Sequence, residues 1–266
     1  MKQAVATVSS NVVIFEEVPR TDRRSSKETR LIWLHCPDIA ANVKPGQFVM
    51  VNCGPKATLP RPFSVFQTSG GDLAIFFAVF REGRGTEWLA DRHTGDTVQL
   101  FGPLGNGFTL EKETHNILLV GGGAGIAPLL FLGQYAIEHF CSVTFLYGSA
   151  GCGRYPIPPE LQPIPATEDG SVGYKGYVTD LIPQYADKAQ QIFICGPLSM
   201  FKTIAQQRDK LKLTGKNVQV SLEVRMGCGA GVCYSCTIMT GQGLKQVCKD
   251  GPVFNLEDVV WDSLAG

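Results

Sequence analysis

The sequence carries no excess of charge of either sign: 24 Lys and Arg stand against 24 Asp and Glu, a formal net charge of 0. A neutral chain without a basic block lacks the electrostatic footprint of a general nucleic-acid binder. No apolar run approaches the roughly 20 residues that span a bilayer, so no membrane segment is expected. The N-terminal Met1-Lys2-Gln3-Ala4 lacks the apolar stretch of a signal peptide, and a cytoplasmic protein is expected. Histidine is scarce, with four residues (His35, His93, His115, His139). No Ser–His–Asp or paired-carboxylate arrangement is evident around them, and none is given a catalytic role. Internal repeats and low-complexity tracts are also missing.

The chain has 266 residues, which suits two modest domains or one domain with an appendage. Its 44% hydrophobic content is enough for a real core, and 30 Gly with 16 Pro point to many tight turns. Nine cysteines, an odd number, do not read as a disulfide framework in a cytosolic chain. Five are scattered (Cys36, Cys53, Cys141, Cys152, Cys195), and four crowd the C-terminal part (Cys228, Cys233, Cys236, Cys248).

Three zones follow one another. Residues 1–105 read as short strands at 4–8, 12–18, 31–36, 47–52, 64–68, 73–80 and 97–101, with turns at Pro45-Gly46, Gly54-Pro55, Gly70-Gly71-Asp72 and Gly95-Asp96. Such spacing suggests a small antiparallel barrel. The Arg-rich stretch 20–30 reads as a solvated hairpin tip. Residues 106–217 change rhythm, with apolar strands at 116–120, 142–147 and 191–195 and helical patterns at 128–140 and 199–212. Strands alternating with helices imply a parallel α/β sheet. Residues 218–266 hold the cysteine cluster; a piece of this size usually needs a metal or a staple to fold.

The segment Gly227-Cys228-Gly229-Ala230-Gly231-Val232-Cys233-Tyr234-Ser235-Cys236, with Cys248 following, has the C-x4-C-x2-C spacing of plant-type [2Fe–2S] ligands. Thiolates suit iron–sulfur or zinc, and a zinc ribbon more often shows two C-x2-C pairs where this chain has one. The interleaved glycines favour iron–sulfur, because a Gly-rich loop brings backbone N–H groups close to cluster sulfurs and tunes the potential. A zinc-stabilised binding module with no enzymatic role is the contrasting reading.

Two further motifs bear on nucleotides. Arg61-Pro62-Phe63-Ser64 offers a phosphate-binding fork and a short hydroxyl, or else a turn with a surface Arg. Gly83-Arg84-Gly85-Thr86 precedes a helical stretch at 87–91, where exposed N–H groups suit a pyrophosphate; Thr86 could equally serve as the N-cap of that helix. Val120-Gly121-Gly122-Gly123-Ala124-Gly125 follows an apolar strand and opens a helix, the context of a dinucleotide phosphate site. The spacing departs from strict G-x-G-x-x-G, and the second strand ends Tyr147-Gly148-Ser149 without an acidic residue. Cys195-Gly196-Pro197 ends another strand, placing Cys195 at the mouth of the sheet or, as for most lone thiols, in the interior.

In this order the motifs RPFS, EGRGTEWL, FGPLGNGF, GGGAGIAPL, CGP and RMGCGAGVCYSC with KQVCKDGPVF resemble the ferredoxin–NADP reductase superfamily over nearly the whole chain. Within it they look like the electron-transfer subunits of two-subunit, NAD-linked bacterial dihydroorotate dehydrogenases. The resemblance implies a FAD-binding β-barrel (1–105), an NAD-binding α/β domain (106–217) and a small C-terminal [2Fe–2S] domain (218–266). It implies FAD held by Arg61, Pro62, Phe63, Ser64, Gly85 and Thr86, and along the strand end Ala78, Val79 and Phe80. That strand lacks the Arg often found there in the family, Arg81 standing one place later. NAD would lie on Gly121, Gly122, Gly123 and Gly125, with Cys195 as the catalytic-site residue near the nicotinamide, and the cluster on Cys228, Cys233, Cys236 and Cys248. A partner FMN-containing dihydroorotate dehydrogenase subunit, in a heterotetramer of two plus two, would supply the electrons for pyrimidine biosynthesis. The same module could instead serve a hydrogenase or an NADH–ferredoxin transhydrogenase.

Overall fold

β-branched and aromatic residues dominate the N-terminal part and pair there as one antiparallel sheet. The computed structural model describes residues 1–16, 26–80, 83–152 and 155–264. The strands are β1 (Lys2–Glu16), β2 (Ser26–His35), β3 (Phe48–Val51), β4 (Arg61–Ser64), β5 (Gln67–Ser69), β6 (Asp72–Phe80) and β7 (Thr97–Leu104), in the order β4-β3-β7-β1-β2-β6-β5. Helices α1 (Pro37–Ala40) and α2 (Arg84–Ala90) lie in the connections. The two end strands β4 and β5 are consecutive in sequence and joined through Val65 and Phe66, whose amides donate to Gln47 and Ala74. The sheet therefore curls into a half-barrel around Ile32, Leu34, Val49, Val51, Leu73 and Ile75.

Three sequence expectations change here. The strands expected at 4–8 and 12–18 are one strand, β1, which pairs first with β7 and then with β2 across two register shifts. Between the two expected strands Asn11 faces the end of α2: its Nδ2 donates to the carbonyls of Leu89, Ala90 and Arg92 at 2.8–3.1 Å. It thereby satisfies carbonyls that a helix end leaves without partners. The strand expected at 64–68 breaks at Val65, where the chain crosses between sheet ends. Of the supposed hairpin tip, residues 26–30 belong to β2, with 28–30 paired on both sides, and Arg30 Nε meets Glu28 Oε1 at 2.6 Å; the rest, with Arg81 and Arg154, lies outside the described residues.

The second sheet contains β8 (Asn116–Gly122), β9 (Ser142–Ser149), β10 (Ile164–Thr167), β11 (Tyr174–Lys175), β12 (Gln191–Cys195) and β13 (Asn217–Ser221). Helices α3 (Ile126–Glu138), α4 (Ile182–Tyr185) and α5 (Leu198–Gln206) connect them. The order is β11-β10-β9-β8-β12-β13-β16, parallel except for β16 (Val253–Asn255), which runs antiparallel to β13. The winding of the chain across the sheet reverses at the parallel neighbours β8 and β12, which makes that junction the topological switch point. The helices expected at 128–140 and 199–212 begin one or two residues earlier and end sooner. In α3 the cause is visible: a 3-10 turn over Gly123–Gly125 feeds straight into Ile126.

The cysteine segment adds the hairpin β14 (Thr237–Thr240) and β15 (Gly243–Gln246) and the short helix α6 (Val247–Asp250). It has no core of its own. Cys236, Ile238, Val247, Cys248, Leu256 and Val259 share one buried cluster with Val218 and Val220 of the parallel sheet and with Phe48, Met50 and Leu104 of the half-barrel. The parallel sheet extends past residue 217 through β13 and takes in β16, because a segment this small buries its apolar side chains only by borrowing a neighbour's. A ring seam joins the two larger units, with Phe76 of β6 5.6 Å from Tyr155 and Tyr155 4.9 Å from Tyr147 of β9. Among the described residues no helix is long and apolar enough to cross a membrane.

Candidate functional site

Three sites are arranged along the chain. The first lies where β4, the end of β6 and the start of α2 converge. Arg61, Phe80, Gly85 and Thr86 line a cavity of about 420 Å³ together with Lys56 and Arg84. Among the described residues none of the three cations is in an ion pair, and the first-turn amides of α2 have no intrahelical acceptor. A Cβ on Gly85 would stand 3.1 Å from Cys53 Cβ and 3.4 Å from Arg61 Nε, so the glycine lets the helix start lie against the guanidinium. Unpaired cations and free amides around an open cavity suit a diphosphate.

Thr86 is not an N-cap: α2 starts at Arg84 with Gly83 in that place, and the Thr86 hydroxyl donates to the Gly83 carbonyl at 3.1 Å. Phe63 and Val79 turn into the half-barrel, Phe63 edge-on to Phe77 at 5.9 Å. Pro62, Ser64 and Ala78 are half-buried and stand outside this cavity's lining. Pro62 is the cross-strand partner of Met50, and Ser64 that of Phe48.

The second site is a cavity of about 1050 Å³ beyond the carboxyl ends of the parallel strands. Gly122, Gly123 and Gly125 line it, facing Gly196 and Pro197 across the switch point. Gly123 has φ +55, a conformation that glycine adopts without a Cβ penalty. At Gly125 a Cβ would fall 2.6 Å from the Gly196 nitrogen. Only a bare backbone lets the two turns approach this closely. Gly121 sits inside β8, against Phe145, Ile126 and Leu129, and supports the loop from behind.

Cys195 lies behind the wall of this cavity, not at its opening. It has 0% exposure, between Gly121 of β8 and Ser221 of β13. Burial pushes its thiol well above the ordinary value, the Glu223 carboxylate adds to this, and a Ser221 hydrogen bond opposes it. The residues that face the cavity at this point are Gly196 and Pro197.

Three carboxylates line the cavity, none of them marked by a motif in the sequence: Glu168, Glu223 and Asp180, the last accepting from the Tyr177 amide at 3.1 Å. Glu223 stands two residues past the end of β13 and reaches solvent through the cavity; desolvation by the surrounding protein raises its carboxyl. Glu168 follows β10, whose Thr167 pairs with Ser149 of β9. Its amide donates to the Ser149 carbonyl at 3.1 Å. The turn beyond is pinned by Thr167 to Val172 in both directions and by Asp169 Oδ1 to the Ser171 amide. Among the described residues the Glu168 carboxylate itself has no partner. The acid missing from the end of the second strand is thus delivered by the third. Ala166-Thr167-Glu168-Asp169-Gly170 carries a signal in the sequence, but the strand that leads into it, Ile164–Thr167, is short and contains Pro165, which masks it.

The third site is the loop 227–236 with α6. The Cys228 sulfur accepts from the amides of Ala230, Val232 and Cys233 at 3.3–3.4 Å, Cys248 from Gly231 at 3.2 Å, and Cys236 from Cys248 at 3.4 Å. Gly229 and Gly231 have φ +67 and +75, which turns these amides inward. The Cys228 and Cys233 thiols interact directly, as do those of Cys236 and Cys248. Among the described residues no three Cys, His, Asp or Glu side chains close on a single ion; the thiols stand as two pairs, one exposed and one buried. In the outer pair, hydrogen bonds from the Ser235 hydroxyl and amide bring Cys233 down to about 6. In the inner pair, burial and then Cys236 raise Cys248 to about 12, so that pair takes on charge when a cation is against it. Two thiol pairs with amides aimed at sulfur fit a two-iron cluster held by four cysteines.

The loop also touches the half-barrel. A Cβ on Gly229 would lie 2.5 Å from Met50 Cγ and 3.3 Å from Leu104 Cδ1. Met50 is paired with Pro62 on β4, so one residue separates the cysteine loop from the strand that carries Arg61.

Known proteins match this arrangement. The family model of the iron–sulfur cluster binding domain of dihydroorotate dehydrogenase B matches residues 223–260. The electron transfer subunit of dihydroorotate dehydrogenase B (NAD(+)) from Desulforamulus reducens is 40% identical over 241 residues, covering 85% of this chain and 90% of that one. Its counterpart from Caldanaerobacter subterraneus subsp. tengcongensis is 36% identical over 229 residues, 82% and 87% of the two chains. Among solved structures, a chain from work on flavin-based electron bifurcation by an NADH-dependent reduced ferredoxin–NADP oxidoreductase has a TM-score of 0.82 at 29% identity, covering 98% of this chain and 91% of that one. A ferredoxin NADP+ reductase from Neisseria gonorrhoeae with bound FAD and NADP shares the fold, with a TM-score of 0.58 at 18% identity over 79% of this chain and 92% of that one.

Proposed function

The chain belongs to the family of dihydroorotate dehydrogenase B electron transfer subunits, and from that membership we propose that it passes electrons from an FMN-containing dihydroorotate dehydrogenase subunit to NAD+. The partner subunit oxidises dihydroorotate in pyrimidine biosynthesis, within a heterotetramer of two copies of each chain. Nine free cysteines suit the reducing cytoplasm.

In this reading Cys228, Cys233, Cys236 and Cys248 hold a [2Fe–2S] cluster. Arg61, Pro62, Phe63, Ser64, the strand end 78–80, Gly85 and Thr86 hold FAD, and Gly121, Gly122, Gly123 and Gly125 hold NAD. Bound there, these groups supply a one-electron carrier, a carrier of one or two electrons and a two-electron hydride acceptor, the combination needed to join single-electron to hydride chemistry.

The residues of the chain do the positioning. Lys56, Arg61 and Arg84 offset the diphosphate charge of FAD, and Gly85 opens the helix start to it. Gly123 and Gly125 let backbone amides reach the NAD pyrophosphate. Glu168 accepts a hydrogen bond from the adenosine ribose. Cys195 backs the wall next to Gly196, and Glu223, with its raised carboxyl, offers a donor on the cavity side. The carrying observation is the contact of Gly229 with Met50, the strand partner of Pro62: it holds the cysteine loop against the flavin strand. The greater identity to the dihydroorotate dehydrogenase subunits, 40% against 29% for the bifurcating enzyme's chain, favours this partner over a transhydrogenase.

Co-expression with the FMN subunit tests the reading. The purified complex is expected to contain FAD, iron and sulfide and to reduce NAD+ with dihydroorotate. A chain that binds zinc and no flavin, or that transfers electrons only with another partner, overturns it.

A further inference from the structure

Gln246 carries a buried hydrogen-bond donor with nothing to give it to. The residue is 8% exposed, and its Nε2 is shut off from solvent with no acceptor in the protein. Buried polar groups are nearly always satisfied, and one that is not calls for an explanation such as a bound group. Its surroundings name the candidate. Gln246 ends β15, opposite Thr237, the residue after Cys236, and stands two residues before Cys248. Its Oε1 is 3.2 Å from where a Gly231 Cβ would be. The Gly231 amide in turn donates to Cys248 Sγ at 3.2 Å. The backbone of Gln246 is fixed as well, its amide donating to Asp250 Oδ2 at 2.7 Å. The side chain therefore lies against the glycine turn whose amide serves Cys248.

We propose that the Gln246 side-chain amide donates a hydrogen bond to a sulfur of the iron–sulfur cluster and raises its reduction potential. The inference rests on the reading that the four cysteines hold such a cluster. The sign follows from charge: reduction adds an electron to the cluster, and an N–H donor stabilises the more negative state. The same reasoning fixes the orientation of the amide, since an oxygen turned toward thiolate or sulfide would bring two negative ends together. Gln246 acts as a tuning residue; the backbone amides of Ala230, Gly231, Val232, Cys233 and Cys248 already serve the cysteine sulfurs.

The test starts from iron and sulfide content of the wild-type chain with its flavin; a chain that binds neither iron nor sulfide defeats the cluster reading itself. With the cluster present, Q246M keeps the length of the side chain and removes the donor. Spectroelectrochemical titration is expected to show its cluster midpoint moved to more negative potential, with the flavin midpoint unmoved. At the wild-type midpoint the oxidised-to-reduced ratio should rise about threefold, close to 28 mV at 59 mV per tenfold for one electron. An unchanged midpoint at full iron occupancy overturns the proposal, because a side chain that only fills space would alter stability and leave the potential alone. A second measurement needs no substitution. Wild-type protein made with side-chain 15N-glutamine, chemically reduced, is expected to show a 15N hyperfine coupling to the cluster in pulsed paramagnetic resonance. Absence of that coupling overturns the proposal even where Q246M fails to hold its iron.

Discussion

The backbone N–H of Gly231 donates to Cys248 Sγ at 3.2 Å, joining points 17 residues apart in the chain. This bond ties the glycine turn to the inner cysteine pair, and it exists because Gly231 holds φ +75. A non-glycine residue in that conformation costs about 1–2 kcal/mol. A Cβ there would also meet Gln246 Oε1 at 3.2 Å and Lys249 Cδ at 3.0 Å. Gly231→Ala is expected to lower iron retention on dialysis against a chelator and to lower thermal stability by roughly that amount. Unchanged retention would mean that the turn does not hold the site.

Serine at Cys228, Cys233, Cys236 or Cys248 is expected to strip or destabilise the cluster. Serine at Cys36, Cys53, Cys141 or Cys152 should leave iron and sulfide intact. The buried ones among these still cost stability, since Cys36 and Cys53 pack in the half-barrel core. Iron and sulfide assays of the eight variants decide the ligand set; full content in Cys248→Ser would remove that residue from it.

Nucleotide choice is expected to turn on Glu168. A carboxylate with no internal partner, on a pinned turn beside the end of β9, accepts from a ribose 2′-hydroxyl and repels a 2′-phosphate. Glu168→Gln is expected to weaken NAD+ binding by up to about tenfold, the worth of one hydrogen bond of roughly 1.4 kcal/mol, and to improve NADP+ binding. Calorimetric titration with both nucleotides checks it, and an NADP+ affinity that does not move would dismiss the residue.

Thiol reactivity separates wall from surface. Cys195 is fully buried with its thiol raised, whereas Cys152 is exposed. Thiolate is the reactive form and needs access. Iodoacetamide at neutral pH is therefore expected to modify Cys152 and spare Cys195 until the chain unfolds. Mass spectrometry showing Cys195 labelled as fast as Cys152 would place it at the cavity mouth instead.

The proposed relay is expected to be separable into halves. Hydride exchange between NADH and FAD needs reacting atoms within about 3–3.5 Å and, in that proposal, involves the two larger units only. A Cys236→Ser protein that keeps FAD and its complex with the partner is expected to reduce an artificial dye with NADH at a near-normal rate. It should fail to reduce NAD+ with dihydroorotate. Because Cys236 lies in the core shared with Val218 and Met50, FAD content and complex size must be measured on the same sample. Normal transfer from partner to NAD+ in that sample would take the cluster off the path.

What the sequence determined by itself was local chemistry. The C-x4-C-x2-C spacing, the interleaved glycines, the strand–glycine–helix passage at 116–138 and the alternation of the N-terminal strands all rest on neighbours a few residues apart, where spacing dictates which groups can meet. Tertiary structure decided what depends on distant segments. It set Asn11 of β1 against the end of α2 and drew β13 and β16 into one sheet. It set Arg61 beside Gly85, buried Cys195 behind Gly196, delivered Glu168 to the end of β9, and left Gln246 with an unused donor beside Cys248. None of these pairings has a periodic signature. Each joins segments far apart in the chain, which meet only once the sheets have packed.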